Sequence, residues 1–145
     1  MNDLVTLTGA ALAVAALFWW ITRSREDRMT AIVTRLAATG ILSSRAQLID
    51  GVNHIPVALS LDASRIKYAN ADLDASIDVR QIDEVEYASD LVTGGIADGA
   101  VLRLRSHGRA FEFVLDLATA ERWCHRLPPH RMDEAGRVDR LASAR

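Results

Sequence analysis

Hydrophobic and polar positions along this chain fall into three regimes. The first is an apolar run, Leu4–Thr22, whose 19 residues LVTLTGAALAVAALFWWIT carry no charge. As a helix it would be about 28 Å long, close to the bilayer's hydrocarbon thickness of about 30 Å. Trp19 and Trp20 close the run, and Arg23, Arg25 and Arg28 follow at once. That order suits a membrane boundary, with aromatic rings at the headgroups and cations on the cytoplasmic side. The second regime, Ser24–Thr39, keeps a helical period, with Met29, Ile32, Val33 and Leu36 at i, i+3, i+4 and i+7. Gly40 supplies a C-terminal stop. Ser24 with Asp27 three residues on resembles a capping pair and favours a break there. The segment is then either a separate amphipathic helix on the inner membrane surface or the anchor helix continuing inward. Its apolar stripe also suits packing on the domain that follows.

Beyond Gly40 the period changes from 3.6 to 2. Val57, Leu59 and Leu61 alternate with Ala58 and Ser60, and Ile66 and Tyr68 with Arg65 and Lys67. Ile77 and Val79 alternate with Asp78 and Arg80, Val85 and Tyr87 with Glu84 and Glu86, and Leu102 and Leu104 with Arg103 and Arg105. Phe111 and Phe113 then flank Glu112. An apolar face opposite a charged one is the mark of half-buried antiparallel strands. A two-residue turn at His107-Gly108 sets Leu104 opposite Phe111, Arg103 opposite Glu112 and Leu102 opposite Phe113, so one register satisfies both faces. A second hairpin around Asp62–Arg65 pairs Leu61 with Ile66 and Leu59 with Tyr68, although Ala63-Ser64 is a poor turn pair. Asp90–Gly99 contains Gly94-Gly95 and no regular pattern, and reads as a mobile loop.

Asp116 can cap a final helix over Leu117–Leu127. Leu117, Ala120, Cys124 and Leu127 form its apolar stripe, extended by Trp123, and Pro128-Pro129 ends it. The tail His130–Arg145 mixes charge with Ala, Gly and Ser, and reads as disordered or weakly helical. The chain thus divides into a transmembrane anchor (1–23), a juxtamembrane helix (24–41), a strand-rich domain with its helix (42–128) and a flexible tail (129–145).

About seven short antiparallel strands followed by one tryptophan-bearing helix make an α+β pattern. It resembles the pleckstrin-homology (PH) superfold, in particular the bacterial PH-like and GRAM-like domains. The resemblance covers roughly Leu42–Leu127. It rests on Pro56–Leu61, Arg65–Tyr68, Ile77–Val79 leading into Ile82–Tyr87, and the Leu102–Leu115 hairpin before the Trp123 helix. It implies a partly open antiparallel β-barrel with the helix closing one end, and Trp123 and Cys124 in the core. Phosphoinositide-binding members carry lysines and arginines around the first hairpin. Asp50-Gly51-Val52-Asn53-His54 lacks such a cluster, which argues against inositide recognition.

Charge sharpens the picture of partners. Between Arg45 and Asp116 there are seven basic residues against twelve acidic ones, while arginines gather in the flanks. An acidic domain argues against nucleic acid, where phosphate neutralisation dominates affinity. Lys67 is the only lysine, a composition that fits a GC-rich bacterial genome. A cleaved signal peptide is disfavoured, because Met1-Asn2-Asp3 is acidic and Phe18-Trp19-Trp20 stands where small residues should be. Gly9 and Ala13 offer a close-packing spacing for two such helices, one that also arises by chance in an alanine-rich segment.

Candidate chemistry adds little. Cys124 is the only cysteine, so no intrachain disulfide forms. Asn70-Ala71-Asp72-Leu73-Asp74 begins like a calcium loop, but Ala75 and Gln81 stand where glycine and glutamate are needed, so it reads as a polar turn. His54, His107, His125 and His130 lack metal-ligand spacing, and Cys124 and His125 are helix neighbours that face apart. Gly94-Gly95 lacks the lysine of a phosphate loop. The expectation is a non-enzymatic, single-pass protein of the bacterial inner (plasma) membrane, N-terminus out and domain in the cytoplasm, without cofactor or metal. Trp19, Trp20, Arg23, Arg25 and Arg28 would sit at the membrane interface. The domain would bind another protein or its own copies, or else lie on the membrane surface as a lipid-binding module. Arg23, Arg25 and Arg28 would attract anionic lipid by about 1 kcal/mol each.

Overall fold

The two periodicities meet at Gly40, and the chain changes from helix to sheet there. The computed structural model describes residues 2–132 and 138–139, with the backbone alone for residues 2–15, 18, 25, 138 and 139. Helix α1 (Asn2–Ala37) is followed by β1 (Leu42–Asp50), β2 (Asn53–Leu61), β3 (Arg65–Ala69), β4 (Asp74–Asp78), β5 (Ile82–Asp90), β6 (Ile96–Ser106) and β7 (Arg109–Leu115). Helix α2 (Leu117–Arg126) and two short strands, β8 (His130–Met132) and β9 (Val138–Asp139), complete the described order. All strands join one antiparallel sheet in the order β4-β3-β2-β1-β7-β6-β5-β8-β9, with β4 and β9 at its edges. The protein is therefore α+β, with one open antiparallel sheet.

The hairpin registers are those the alternation predicts. Leu104 faces Phe111, Arg103 faces Glu112 and Leu102 faces Phe113 across β6 and β7. His107 and Gly108 both take positive φ, 50° and 73°, which matches the type I′ turn that suits the twist of paired strands. Leu61 faces Ile66 and Leu59 faces Tyr68 across β2 and β3. The poor Ala63-Ser64 pair is compensated by Asp62, whose Oδ1 accepts the backbone N–H groups of Ser64 and Arg65, each at 2.8 Å. Asn70-Ala71-Asp72 is a polar turn, with Asn70 Oδ1 accepting from the N–H groups of Asp72 (2.9 Å) and Leu73 (2.8 Å).

Several elements differ from the sequence reading. Val79 leaves the strand and opens a 3₁₀ turn over Val79–Gln81, because Asp78 Oδ1 accepts the Arg80 N–H and pulls the backbone round. Half of the Asp90–Gly99 stretch is strand: β5 runs to Asp90 and β6 starts at Ile96. The short turn between them is closed by Leu91 N–H to the Gly95 carbonyl and Gly94 N–H to the Leu91 carbonyl, both 2.8 Å. Leu91 packs with Val101 and Val114 in a small apolar cluster on the outer face, which holds the turn down. Gly99 has φ 138°, and a Cβ there would collide with the Leu115 carbonyl. In the tail, His130–Met132 is a strand on β5 and Val138–Asp139 pairs with β8; the rest of the tail lies outside the described residues.

The main core lies on the inner face, where Trp123, Phe113, Leu59, Ile66 and Ile82 are fully buried. Tyr68 packs between Phe111 and Phe113, with ring centroids 6.2 and 5.4 Å away. Helix α2 closes this core. Asp116 caps it, accepting the Thr119 N–H at 2.9 Å. The buried face of α2 is Thr119, Ala120 and Trp123, continuing to Leu127, so the expected stripe holds at Ala120, Trp123 and Leu127 but not at Leu117 and Cys124. Leu117 is 71% exposed and Cys124 only half-buried. Leu117 follows the cap directly and points away from the sheet; its apolarity alone placed it in the stripe.

Helix α1 runs without a break from Asn2 to Ala37, so the Ser24–Asp27 pair does not end a helix. Its last three turns lie on β1 and β2. Leu36 is buried and Met29, Ile32 and Val33 are half-buried, so the predicted stripe is the docking face. This explains why Ala58 and Ser60, on the outer side of β2, are also buried, at 0% and 2% exposure. Gly40 has no positive φ; it matters because a Cβ there would meet Ser60 Oγ and the Leu36 and Leu61 carbonyls. The helix stops where it touches the sheet. Among the described residues no helix is long and apolar enough to cross a membrane. Most side chains of the expected anchor, and the Gly9–Ala13 pair, lie outside the described residues.

Candidate functional site

The residues expected at a membrane interface occupy the middle of α1. Trp19 and Trp20 are 66% and 64% exposed, and Leu17 and Ile21 beside them are 58% and 39% exposed. Large apolar side chains this open ask for a cover. Trp20, Arg23, Ser24, Asp27, Arg28 and Ala31 line one shallow depression along the helix flank. The Arg25 side chain lies outside the described residues. Thr22 Oγ1 donates to the Trp19 carbonyl at 2.9 Å, and Thr30 and Thr34 do the same one turn back.

Below this belt, α1 and the sheet enclose a groove of about 550 Å³. Glu26, Arg28, Met29 and Ile32 form the helix wall, and Arg45, Ala46, Pro56, Val57 and Asn70–Asp72 the other. An Arg45 Nη2 donates to Thr30 Oγ1 and ties the two walls together. Asn70 Nδ2 donates to the Pro56 carbonyl at 3.3 Å, fixing the β3–β4 turn at the rim. The sequence offered no sign of this groove, because Arg28, Arg45 and Asp72 are brought together only by folding.

A second feature is a ladder of charges across the outer face of β5, β6 and β7. Arg103 donates through Nη1 to Glu86 (2.7 Å) and through Nε to Glu112 (3.0 Å). Glu84 receives Arg105 at 3.5 Å and also Arg131 of β8. The alternation placed these residues on a solvated face, yet Glu84 and Glu112 are each only 7% exposed. The turn after β5 folds over Glu112: Val92 N–H donates to Glu112 Oε1 at 3.0 Å and Arg103 Nη2 to the Asp90 carbonyl at 3.1 Å. Burial works against the Arg103 charge, but its bonds to Glu112 and Glu86 outweigh that and hold its pKa above the ordinary value. Tyr87 is shifted upward mainly by burial and then by Cys124, and its hydroxyl donates to the Leu127 carbonyl at 3.0 Å.

Carboxylates at turns and caps are perturbed the other way. The Asp116 carboxyl lies below its usual range because Thr119 donates to it from hydroxyl and backbone. A lowered folded-state pKa contributes stability above the ordinary aspartate range, and that contribution is lost as pH falls through the lowered value. Asp116→Asn should therefore be less stable than the parent near neutrality, with the gap closing below about pH 4. Thermal midpoints of both proteins from pH 7 to pH 2 test this; a gap independent of pH contradicts it.

At the end of the sheet where β6 begins, Ala100 faces Leu115, and β1 approaches there with Gln47 facing Val114. Val92 (67%), Ile96 (93%) and Leu117 (71%) are exposed at that end. Among the described residues no three His, Cys, Asp or Glu side chains are placed to hold a metal ion. The four histidines stand on separate elements: His54 on β2, His107 in the β6–β7 turn, His125 on α2 and His130 on β8. What the fold and these surfaces define is a class, an α+β domain with an open antiparallel sheet docked on a long N-terminal helix. No protein-family model, curated protein or solved structure matches this chain.

Proposed function

We propose that this chain is a non-enzymatic, single-pass protein of a bacterial plasma membrane. In this reading the first part of α1 spans the bilayer, its N-terminus lies outside, and a PH-like cytoplasmic domain binds another protein or its own copies. The observation that carries it is the continuity of α1, one helix of 36 residues. Such a helix is about 54 Å long, more than the bilayer core of about 30 Å needs, and the surplus is the part docked on the sheet. Leu17, Trp19, Trp20 and Ile21 would be covered by lipid, and Arg23, Arg25 and Arg28 would face the anionic inner leaflet. The PH-like reading is supported by the strand order β4-β3-β2-β1-β7-β6-β5 followed by a core-closing helix with Trp123.

A partner-binding role is supported by the sheet end farthest from the tryptophans. Val92 and Ile96 flank a hydrogen-bonded turn beside Asp90 and Asp98, a stiff apolar tip with acidic neighbours. Apolar anchors rimmed by one sign of charge favour a basic partner or a complementary face on a second copy. A photoreactive residue at Ile96 in the full chain, irradiated in native membranes, tests this. A discrete adduct, absent when the probe stands at Arg80, is expected; no adduct from position 96 contradicts the reading.

A further inference from the structure

We infer that the groove between α1 and the β1–β2 face holds the headgroup of a zwitterionic phospholipid, of the phosphoethanolamine class. The inference rests on the membrane-anchor reading of α1. Four charged side chains line this groove, cations Arg28 and Arg45 and anions Glu26 and Asp72. Among the described residues no ion pair joins any of the four to another, although both signs share one groove. A phosphate would meet the two arginines, which suit its oxygens, and an ammonium would meet the two carboxylates. An anionic headgroup without an ammonium would face the carboxylates unpaired. Met29 and Pro56 supply apolar wall beside the charges.

The position agrees with the chemistry. Glu26, at the upper end of the groove, lies three residues past Arg23, or about 5 Å along the helix. The headgroup layer is roughly 5–7 Å deep on each side of the bilayer. A headgroup of the inner leaflet therefore reaches the upper end of the groove without leaving its place. Arg45, held to Thr30, is positioned before the lipid arrives.

The test uses the full chain in nanodiscs of equal phosphatidylethanolamine and phosphatidylglycerol, followed by native mass spectrometry of the lipids that stay bound. One phosphatidylethanolamine per chain should be retained in preference to phosphatidylglycerol. Arg45→Ala and Asp72→Ala should each reduce that retention about tenfold or more, with unfolding midpoints near the parent's showing that the domain is intact. Asp72→Lys should move the preference to phosphatidylglycerol. Equal retention of both lipids, or retention untouched by these substitutions, overturns the headgroup site while leaving the anchor standing. Failure of the chain to enter nanodiscs at all overturns both.

Discussion

Trp123→Ala is expected to be the most damaging single substitution in this domain, lowering its stability by about 3–5 kcal/mol. Trp123 is fully buried and is the largest of the fully buried side chains. Its removal leaves a void where α2 meets the sheet, and loses the bond from its Nε1 to Ser44 Oγ at 2.9 Å. That bond ties α2 to β1, elements 79 residues apart in sequence. A domain of this size has about 5–15 kcal/mol in all, so the loss should lower the thermal midpoint by well over 10 °C. Trp123→Phe keeps part of the bulk but abandons Ser44 and should cost about 1–3 kcal/mol. Ser44→Ala strands the indole N–H and should fall in the same range. The check is denaturation of the full chain in mild detergent, followed by near-ultraviolet circular dichroism. If Trp123→Ala and Trp123→Phe lose equally little, α2 does not close the core.

The second large effect is expected at Arg103. This side chain is 14% exposed and bridges Glu86 and Glu112, whose own side chains are 40% and 8% exposed. Breaking a buried pair from one side leaves the other charge uncompensated, so Arg103→Ala should cost about 3 kcal/mol. Glu112 would keep the Val92 N–H as a partner, which is too little to solvate a carboxylate. Glu86, being more open, can turn to water. The double variant Arg103→Met with Glu112→Leu removes both charges and should recover more than half of the loss. Urea unfolding of the parent, Arg103→Ala and the double variant decides it. A loss below about 0.5 kcal/mol in Arg103→Ala would mean that the ladder behaves as a solvated surface pair.

The same hairpin shows where the sequence was legible. The β6–β7 register could be read because apolar and charged residues each specify it, and a one-residue slip would violate both. The burial of Glu112 could not be read, since it depends on the Leu91–Gly95 turn folding across the face. That turn has no periodic signal; it is held by two backbone bonds and one buried leucine. The stripe of Met29, Ile32, Val33 and Leu36 was visible as helical, and packing on the following domain was one of its readings, but the strands it meets, β1 and β2, were not legible. The Ser24–Asp27 pair resembled a cap because capping residues are recognised by spacing alone, and the unbroken ladder of α1 overrides it. In α2 the stripe was legible at Ala120, Trp123 and Leu127 but not at Leu117, which looks like core by composition and stands outside it.

The candidate surfaces were legible to different degrees for a related reason. Trp19, Trp20, Arg23, Arg25 and Arg28 are contiguous in sequence, so their clustering on one helix is local. The groove joins Glu26 and Arg28 to Arg45 and Asp72 from three separate elements, and no spacing rule anticipates that. Its existence follows from the direction of α1 along β2: Met29 and Ile32 share the groove with Pro56 and Val57, and Gly40 abuts Ser60 and Leu61. Helix and strand run the same way. Consequently, a helix fixed in the bilayer would fix the domain's height and tilt as well.

The claim on which the account turns is that α1 both spans a membrane and carries the domain. Alkaline carbonate extraction of membranes containing the full chain tests it most directly, since this treatment strips peripheral proteins and leaves integral ones. The account predicts that the chain remains in the membrane pellet. Its release into the supernatant would contradict the account.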